Sequence, residues 1–336
     1  MRRCVLHHLA GLDQTKNTRI RNERGTWKEN ADVTNAFQSW CKSVGVRGFG
    51  HVRVASSSDF CRSLRTTRDF LPGDGLVVVP IEAGFNFLVV AREMYSTPNN
   101  FPLEMTWMNY NSCLPNMGNV SHADLVQAGW MTRINSMEDS PFTPFVKWVL
   151  SDNRGMQGVV QAVSRIKKET KSEAFDNLLS EFSVEACEEP QAFLDAMFTA
   201  MAAFAQRSIP LEQSAIMHFV DGTNFFKTKV GEMSVPTLLP LIDTVPQVCD
   251  GSHNTLVEFF DPPKDEEELQ RILVDCRLPL DISLRSVSKG FFVLRALAPI
   301  ESGGFLFGRD WLTLEGANAS LQAKGMRAEA LIRGPH

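Results

Sequence analysis

The pattern of hydrophobic and polar positions changes most clearly across residues 235–260. A proline-bounded run of leucine and isoleucine ends there at Asp243, a polar and turn-forming stretch follows, and a second apolar run covers residues 256–260. Short apolar runs bounded by Pro, Gly, Asp and Asn are typical of buried segments joined by a turn. The pattern therefore predicts a core strand, a loop and a second core strand.

Further strand signals lie on both sides of the middle of the chain. Val52 and Val54 alternate with polar residues, and a turn at 72–75 precedes the apolar run at 76–79. Residues 282–287 and 291–296 flank a Lys-Gly pair, which is a hairpin signal. The sequence predicts strands at all four places, and it predicts an acidic loop at 262–268 that leads into a short helix.

A helix opens the region that is expected to fold. Its apolar residues recur at i, i+3, i+4 and i+7, and they are Phe37, Trp40, Cys41 and Val44. Asp32 is the predicted N-cap and Gly45 the predicted stop.

The middle of the chain is mostly helical in pattern. The candidate helices are residues 87–95, 121–134, 144–150, 157–171, 173–181 and 190–207, followed by a loop at 219–234. Strand signals thus precede and follow a helical block. The predicted fold class is α+β, with small sheets from residues 45–82 and 235–326 joined by a helical insert.

Charge is distributed unevenly along the 336 residues. The net charge is −5, but residues 1–28 hold seven Lys/Arg and two acidic residues, which is +5, so the remainder carries −10. An acidic body argues against a broad nucleic-acid face and leaves room for a local basic patch. The seven cysteines include no C-x-x-C pair, which favours a reducing compartment and predicts no metal site. No apolar run approaches the roughly 18 residues of a membrane span.

The first 28 residues are basic and amphipathic. Val5, Leu6, Leu9 and Leu12 fall on one helical face, after two arginines and before three more. This is the form of an organelle presequence, and the absence of serine favours the mitochondrial matrix over a plastid. The alternative is a disordered basic tail.

Two motifs carry a resemblance to a known family. Pro240, Leu241 and Asp243 match a P-L-x-D core motif, and Asn254 matches an asparagine that follows it. The second motif is a strand-turn-strand frame whose matching residues are Arg62, Leu64, Thr66, Phe70, Gly73, Asp74, Leu76, Val79 and Pro80. Both resemble SET-domain lysine methyltransferases, in the branch of the Rubisco large-subunit methyltransferase.

The resemblance implies a cofactor site for S-adenosylmethionine. The positions equivalent to that site are Cys61, Arg62, Ser63, Arg207, Asp243, Pro246 and Gln247. Cys61 and Ser63 replace the glycines of a G-R-G turn, and glycine allows the closest approach of a backbone to a ligand. Pro246 and Gln247 replace an Asn-His pair. Arg207 takes the family's arginine position, and the alternative for it is a solvated arginine at a helix end.

The resemblance also implies a catalytic tyrosine near the end of the chain. The possible registers place Asp310 or Glu315 there, and Gly304 replaces a family glutamate upstream. No catalytic residue is therefore predicted, and no bound cofactor is expected unless the protein is an active methyltransferase.

The resemblance implies a domain order. Residues 1–28 are a targeting or disordered segment, 29–85 the first part of a SET core, 86–233 a helical insert and 234–330 the rest of the core, with no C-terminal substrate-binding domain.

Three functions stay open. The first is a SET-fold pseudoenzyme that acts as a protein-binding or assembly factor in a large mitochondrial ribonucleoprotein or ribosome-maturation complex. Trp107, Trp130 or Trp311 would be its contact anchors, and the alternative for each of these tryptophans is a place in the core. The second is an active S-adenosylmethionine-dependent lysine methyltransferase with divergent motifs. The third is an unrelated structural or binding protein whose resemblance is limited to the sequence pattern, because fold likeness does not decide function.

Overall fold

The computed structural model describes residues 26–56, 62–86, 89, 122–136, 140–151, 196, 199–200, 203–204, 207–211, 235–248, 252–279 and 281–309. Within them the helices are α1 (Thr26–Ser43), α2 (His122–Ser136), α3 (Thr143–Leu150) and α4 (Glu266–Asp275). The strands are β1 (Val52–Ser56), β2 (Arg62–Thr66), β3 (Gly75–Pro80), β4 (Ile209–Leu211), β5 (Val235–Thr237), β6 (Gln247–Val248), β7 (Thr255–Phe260), β8 (Phe291–Ala296) and β9 (Gly308–Arg309). Short 3-10 helices cover Ile81–Ala83, Ile242–Thr244 and Leu284–Val287. Helices and small sheets together confirm the α+β class.

The buried centre is a three-stranded antiparallel sheet in the order β3–β8–β7. β3 is buried at every position because both of its faces are covered: Val77 and Val79 belong to one apolar cluster and Val78 to another. Val78 lies opposite Val293 of β8. Strands that precede the predicted helical block and strands that follow it therefore share one sheet.

β1 and β2 form a second antiparallel pair, with Val54 opposite Leu64. Val52 and Leu64 are buried on the core face of this pair. A segment from the C-terminal part runs along the free edge of β2. The Thr66 amide donates to the Gly304 carbonyl at 3.0 Å, and the Leu306 amide donates to the Leu64 carbonyl at 3.1 Å. β2 therefore lies between β1 and residues 303–306.

Aromatic side chains join α1 to α3. Phe37 stacks on Trp148 with ring centroids 4.3 Å apart, and Trp40 stacks on Phe145 at 5.4 Å. Trp130 of α2 is also in the core, with 3 % of its surface exposed. The proposal of Trp130 as a surface anchor is therefore wrong, because its ring completes the same apolar cluster. Trp107 and Trp311 lie outside the described residues.

Two sequence-based element predictions need correction. α1 begins at Thr26, so Asp32 is an interior residue and not the N-cap, since residues 26–31 contain no Gly or Pro that would interrupt the helix. Residues 284–287 form a 3-10 helix and not a strand. The Ser283 hydroxyl caps this helix by accepting from the Ser286 amide at 3.4 Å. β8 therefore has no hairpin partner at residues 282–287, and it pairs with β3 and β7 instead.

Several predictions agree with the described residues. α1 ends at Ser43, just before Gly45, which has a φ of +85°. The predicted short helix is α4, but it begins at Glu266, inside the predicted loop 262–268, because the N-cap Asp265 accepts from the Glu268 amide at 2.8 Å. α2 and α3 match the candidates at 121–134 and 144–150. The candidate helices at 157–171 and 173–181, the loop at 219–234 and the basic segment up to residue 25 lie outside the described residues.

Candidate functional site

Arg207 and Asp243 form a buried ion pair. Arg207 is the last helical residue before β4, and Asp243 lies in the 3-10 helix Ile242–Thr244. Arg207 Nη2 donates to Asp243 Oδ2, and Arg207 Nε donates to the Asp243 carbonyl at 3.1 Å. The exposed fractions are 3 % for Arg207 and 1 % for Asp243. Burial of two charges is tolerated here because each neutralises the other and both are hydrogen-bonded. Arg207 is thus not a solvated arginine.

Two arginines cap the C-terminal end of α3. Arg207 Nη1 donates to the Val149 carbonyl at 3.2 Å. From β2, Arg62 Nη1 donates to the Trp148 carbonyl, and Arg62 Nη2 donates to Ser151 Oγ at 2.8 Å. The last carbonyls of a helix have no partner within the helix and carry the negative end of its dipole. The two guanidinium groups satisfy these carbonyls and fasten β2 and β4 to the helix.

The side chain of Arg62 is fixed on a second side as well. Its guanidinium carbon lies 3.7 Å from the centroid of the Trp148 ring, a cation–π contact. The neighbouring Ser63 lies opposite Ala55 in regular antiparallel register, and its hydroxyl donates to the Ala55 carbonyl at 3.4 Å. Ser63 thus has the extended backbone of a strand. Cys61 lies outside the described residues.

Pro246 and Gln247 follow the ion pair in the chain, and Gln247 adjoins a small cavity. Gln247 Nε2 donates to the Ser208 carbonyl at 3.4 Å. Gln247 lines a cavity of about 20 Å³ together with Ile242 and Gly308. That volume suits about one water molecule.

Asn254 holds a segment of the C-terminal part in place. Its Nδ2 donates to the Phe305 carbonyl at 2.8 Å, and its Oδ1 accepts from the Phe307 amide at 2.8 Å. On the other side of this segment, the Gly308 amide donates to the Pro246 carbonyl at 2.9 Å. β9 pairs there in parallel with β6. Residues 305–309 are therefore held by Asn254 on one side and by Pro246 on the other.

The backbone just before Asp243 is strained. Leu241 has φ 67° and ψ −47° and is fully buried. Few L-residues adopt a positive φ, and such a conformation costs about 1–3 kcal/mol unless the surroundings impose it. Here the Asp243 amide donates to the Leu239 carbonyl at 2.8 Å, which closes the turn. The strained turn brings the Asp243 carboxylate to Arg207.

A buried thiol adjoins the ion pair. Burial, and secondarily the charge of Asp243, raise the pKa of the Cys41 thiol far above its usual value. Cys41 therefore stays protonated and is a poor nucleophile. In the part of the chain that the structure describes, no group of three or more His, Cys, Asp or Glu side chains could hold a metal ion. No helix within the described ranges is long and apolar enough to cross a membrane.

The structure brings together most of the positions that the sequence singles out. Arg62, Arg207 and Asp243 meet around the end of α3, and Pro246 and Gln247 follow directly. Asp310 and Glu315 lie outside the described residues. Sequence reasoning missed Trp148, Val149 and Ser151, which receive the arginines. Only their helical pattern was visible, because a sequence does not show which distant side chain will reach a helix end.

No protein-family model matches this chain, and no curated protein does. Solved structures show similarity at low identity. The SET domain of LSMT bound to lysine and AdoHcy has a TM-score of 0.46 and 13 % identity, over 87 % of this chain and 56 % of that one. Rubisco LSMT bound to sinefungin and monomethyllysine has a TM-score of 0.42 and 14 % identity, over 87 % and 55 %. Rubisco LSMT bound to AdoMet has a TM-score of 0.44 and 13 % identity, over 86 % and 55 %. The chain thus spans little more than half the length of these proteins.

Proposed function

We propose that this chain is a SET-fold protein that does not transfer methyl groups and that acts as a protein-binding or assembly factor. Its place would be the mitochondrial matrix, within a ribonucleoprotein or ribosome-maturation complex. The observation that carries the proposal is the engagement of Arg62 and Arg207. Both occupy positions that the family resemblance assigns to the cofactor site, and both are buried with their donors on α3 or Asp243.

The other positions of the implied cofactor site support the same proposal. Ser63 carries a side chain in regular strand geometry where the family motif has a glycine. Pro246 has no amide hydrogen to donate, and Gln247 turns its amide to Ser208. The hydrophobic frame is retained around these substitutions. S-Adenosylmethionine is therefore not expected to bind.

A fold without turnover must act by contact with partners. The exposed start of α4 offers one surface of suitable chemistry, since Asp265, Glu266 and Glu267 are all acidic and exposed. Such a surface favours a basic protein partner. The amphipathic segment 1–28, with its net charge of +5 from seven basic and two acidic residues, supports import into the mitochondrion.

Calorimetry with S-adenosylmethionine tests the loss of the cofactor site. The natural chain should give no binding heat. A matched variant restores the family residues: Cys61→Gly, Ser63→Gly, Pro246→Asn and Gln247→His. Binding heat from this variant, with none from the natural chain, would support the proposal that these four substitutions abolished the cofactor site. Micromolar binding by the natural chain would overturn the proposal in favour of an active methyltransferase.

Two measurements in cells test the assembly role and the mitochondrial location in turn. Sedimentation of the endogenous protein should place it with a large complex in fixed ratio, and migration wholly as a free 37.5 kDa particle would contradict the role. A fluorescent reporter fused to residues 1–30 should enter mitochondria. A variant of that fusion with Arg2, Arg3, Arg19 and Arg21 changed to Gln should stay in the cytosol.

A further inference from the structure

Two arginines face each other directly on the outer face of the β1–β2 pair. Arg53 of β1 lies opposite Arg65 of β2 in the antiparallel register. Their neighbours Val52 and Leu64 point to the core, so strand alternation turns both arginines outward. Arg53 is exposed and Arg65 half-buried. The hairpin thus presents two adjacent guanidinium groups on one face.

An aromatic side chain extends this row onto the next segment. Arg65 forms a bridge with Phe305, and its guanidinium carbon lies 3.8 Å from the centroid of the Phe305 ring. Phe307 follows at 6.3 Å between ring centroids. Leu306 between them is fully buried, so both rings point outward, and both are half-buried. The row therefore runs Arg53, Arg65, Phe305, with Phe307 beside it.

The requirements of folding do not explain this row. Like charges directly opposite each other in a sheet are destabilising. Neither Arg53 nor Arg65 forms an ion pair with the described residues, and Arg65 Nε is shielded from solvent without a hydrogen-bond partner. Arg47 and Arg62 differ, because Arg47 pairs with Asp281 and Arg62 caps α3.

The sequence around the row is basic in an otherwise acidic body. Residues 47–68 contain five arginines and one aspartate, which is a net charge of +4. Two acidic residues lie at the open end of the hairpin, beyond Thr66. Asp69 accepts there from the Ser302 amide at 2.7 Å, and Glu301 is exposed. No described carboxylate forms an ion pair with Arg53 or Arg65, so both guanidinium charges are available to a ligand on this face.

We propose that the row of Arg53, Arg65, Phe305 and Phe307 binds the backbone and bases of a single-stranded nucleic acid. Each guanidinium group can donate two parallel hydrogen bonds to the oxygens of one phosphate. Half-exposed phenyl rings beside them offer surfaces on which unpaired bases stack. An acidic peptide would use the two arginines but would gain little from the phenyl rings. The site is local, two phosphates wide, and it does not depend on the loss of methyl transfer.

The test is the fluorescence anisotropy of a labelled single-stranded RNA of mixed sequence, titrated with the full chain. The variant Arg53→Gln/Arg65→Gln is compared with Arg271→Gln/Arg285→Gln, which has the same net charge and removes two exposed arginines from other surfaces. Residues 1–28 add a salt-dependent background that both variants share. Loss of two phosphate contacts should reduce the slope of log K against log salt by about 1.4.

Phe305→Leu distinguishes a nucleic acid from an acidic peptide. For RNA it should weaken binding by about fivefold or more without a change in the salt slope. For a labelled poly-glutamate peptide it should have no effect. Thermal denaturation of each variant checks that the chain is folded. Equal RNA binding by the two arginine pairs would overturn the proposal, as would tighter binding of the peptide than of RNA.

Discussion

Arg207 neutralises Asp243 at a position from which water is excluded, with 3 % and 1 % of the two residues exposed. Asp243→Ala would leave the Arg207 charge buried without a counter-ion. We expect the free energy of unfolding to fall by about 3–5 kcal/mol, measured by urea denaturation. The matched control is Asp281→Ala, which breaks the pair with Arg47 at 3.3 Å, where the Asp281 side chain is 69 % exposed. This control should cost less than about 1 kcal/mol.

The double variant Arg207→Met/Asp243→Leu gives a second check on the pair. It removes both charges and keeps apolar volume. Its loss in the free energy of unfolding should therefore be smaller than the sum of the losses for Arg207→Met and Asp243→Leu made singly. Additive losses would show that the two side chains act independently. If Asp243→Ala lowered the free energy of unfolding by no more than the Asp281→Ala control does, water would have to reach Arg207.

Arg62 should stabilise the chain through α3. Arg62→Met keeps the apolar stem over Trp148 and removes the donors to the Trp148 carbonyl and Ser151. A loss of about 1–3 kcal/mol is expected in the free energy of unfolding. Arg62→Lys should recover only part of it, because an ammonium group cannot reproduce the planar fork of donors. Arg271→Met, on the exposed side of α4, serves as control, and a loss equal to that of Arg62→Met would contradict the capping role.

His51 should make stability depend on pH. Burial, then the charge of Arg68, lower the pKa of His51, although the nearby backbone of Gly75 and Leu76 opposes this shift. With the folded pKa below the unfolded value of about 6.5, the unfolded chain binds the proton first. The free energy of unfolding should therefore fall as the pH drops below about 6.5, because only the unfolded chain then gains the His51 proton. Above that pH the imidazole is neutral in both states and this penalty is absent.

The melting temperature of the natural chain should therefore fall more steeply between pH 7 and pH 5 than that of His51→Gln. Arg68→Gln should reduce the difference in part, since Arg68 Nη2 lies 3.3 Å from His51 Nε2 and supplies the second cause of the shift. Parallel curves for the natural chain and His51→Gln would rule out this source of pH dependence.

Gly48 should not tolerate a side chain. Its φ is +129°, and a Cβ there would lie 2.5 Å from the Leu76 carbonyl oxygen. Gly48→Ala should lower the free energy of unfolding by at least about 1–3 kcal/mol from backbone strain alone. Gly50→Ala is a close control, because a Cβ at Gly50 meets nothing within 4 Å. Similar melting temperatures for the two variants would contradict the predicted contact.

Local pattern was sufficient for several elements. The stripe on α1 and the apolar run of β3 follow from spacing alone, since the period of the apolar positions fixes which face is buried. Residues 282–287 show the limit of this reasoning. Their alternation favours a strand, but Ser283 and Ser286 bond to each other's backbone and form a turn.

The sequence by itself determined the α+β class and the acidic body with its basic start, and its resemblance to SET-domain motifs singled out the candidate positions. Tertiary structure alone decided what those positions contact. Arg62 meets Trp148 from 86 residues away, and Arg207 meets Asp243 from 36 residues away. Arg53 and Arg65 become neighbours only when β1 and β2 pair. The physical reason is that capping, ion pairing and like-charge juxtaposition act through space, whereas periodicity records only the face that each local element buries.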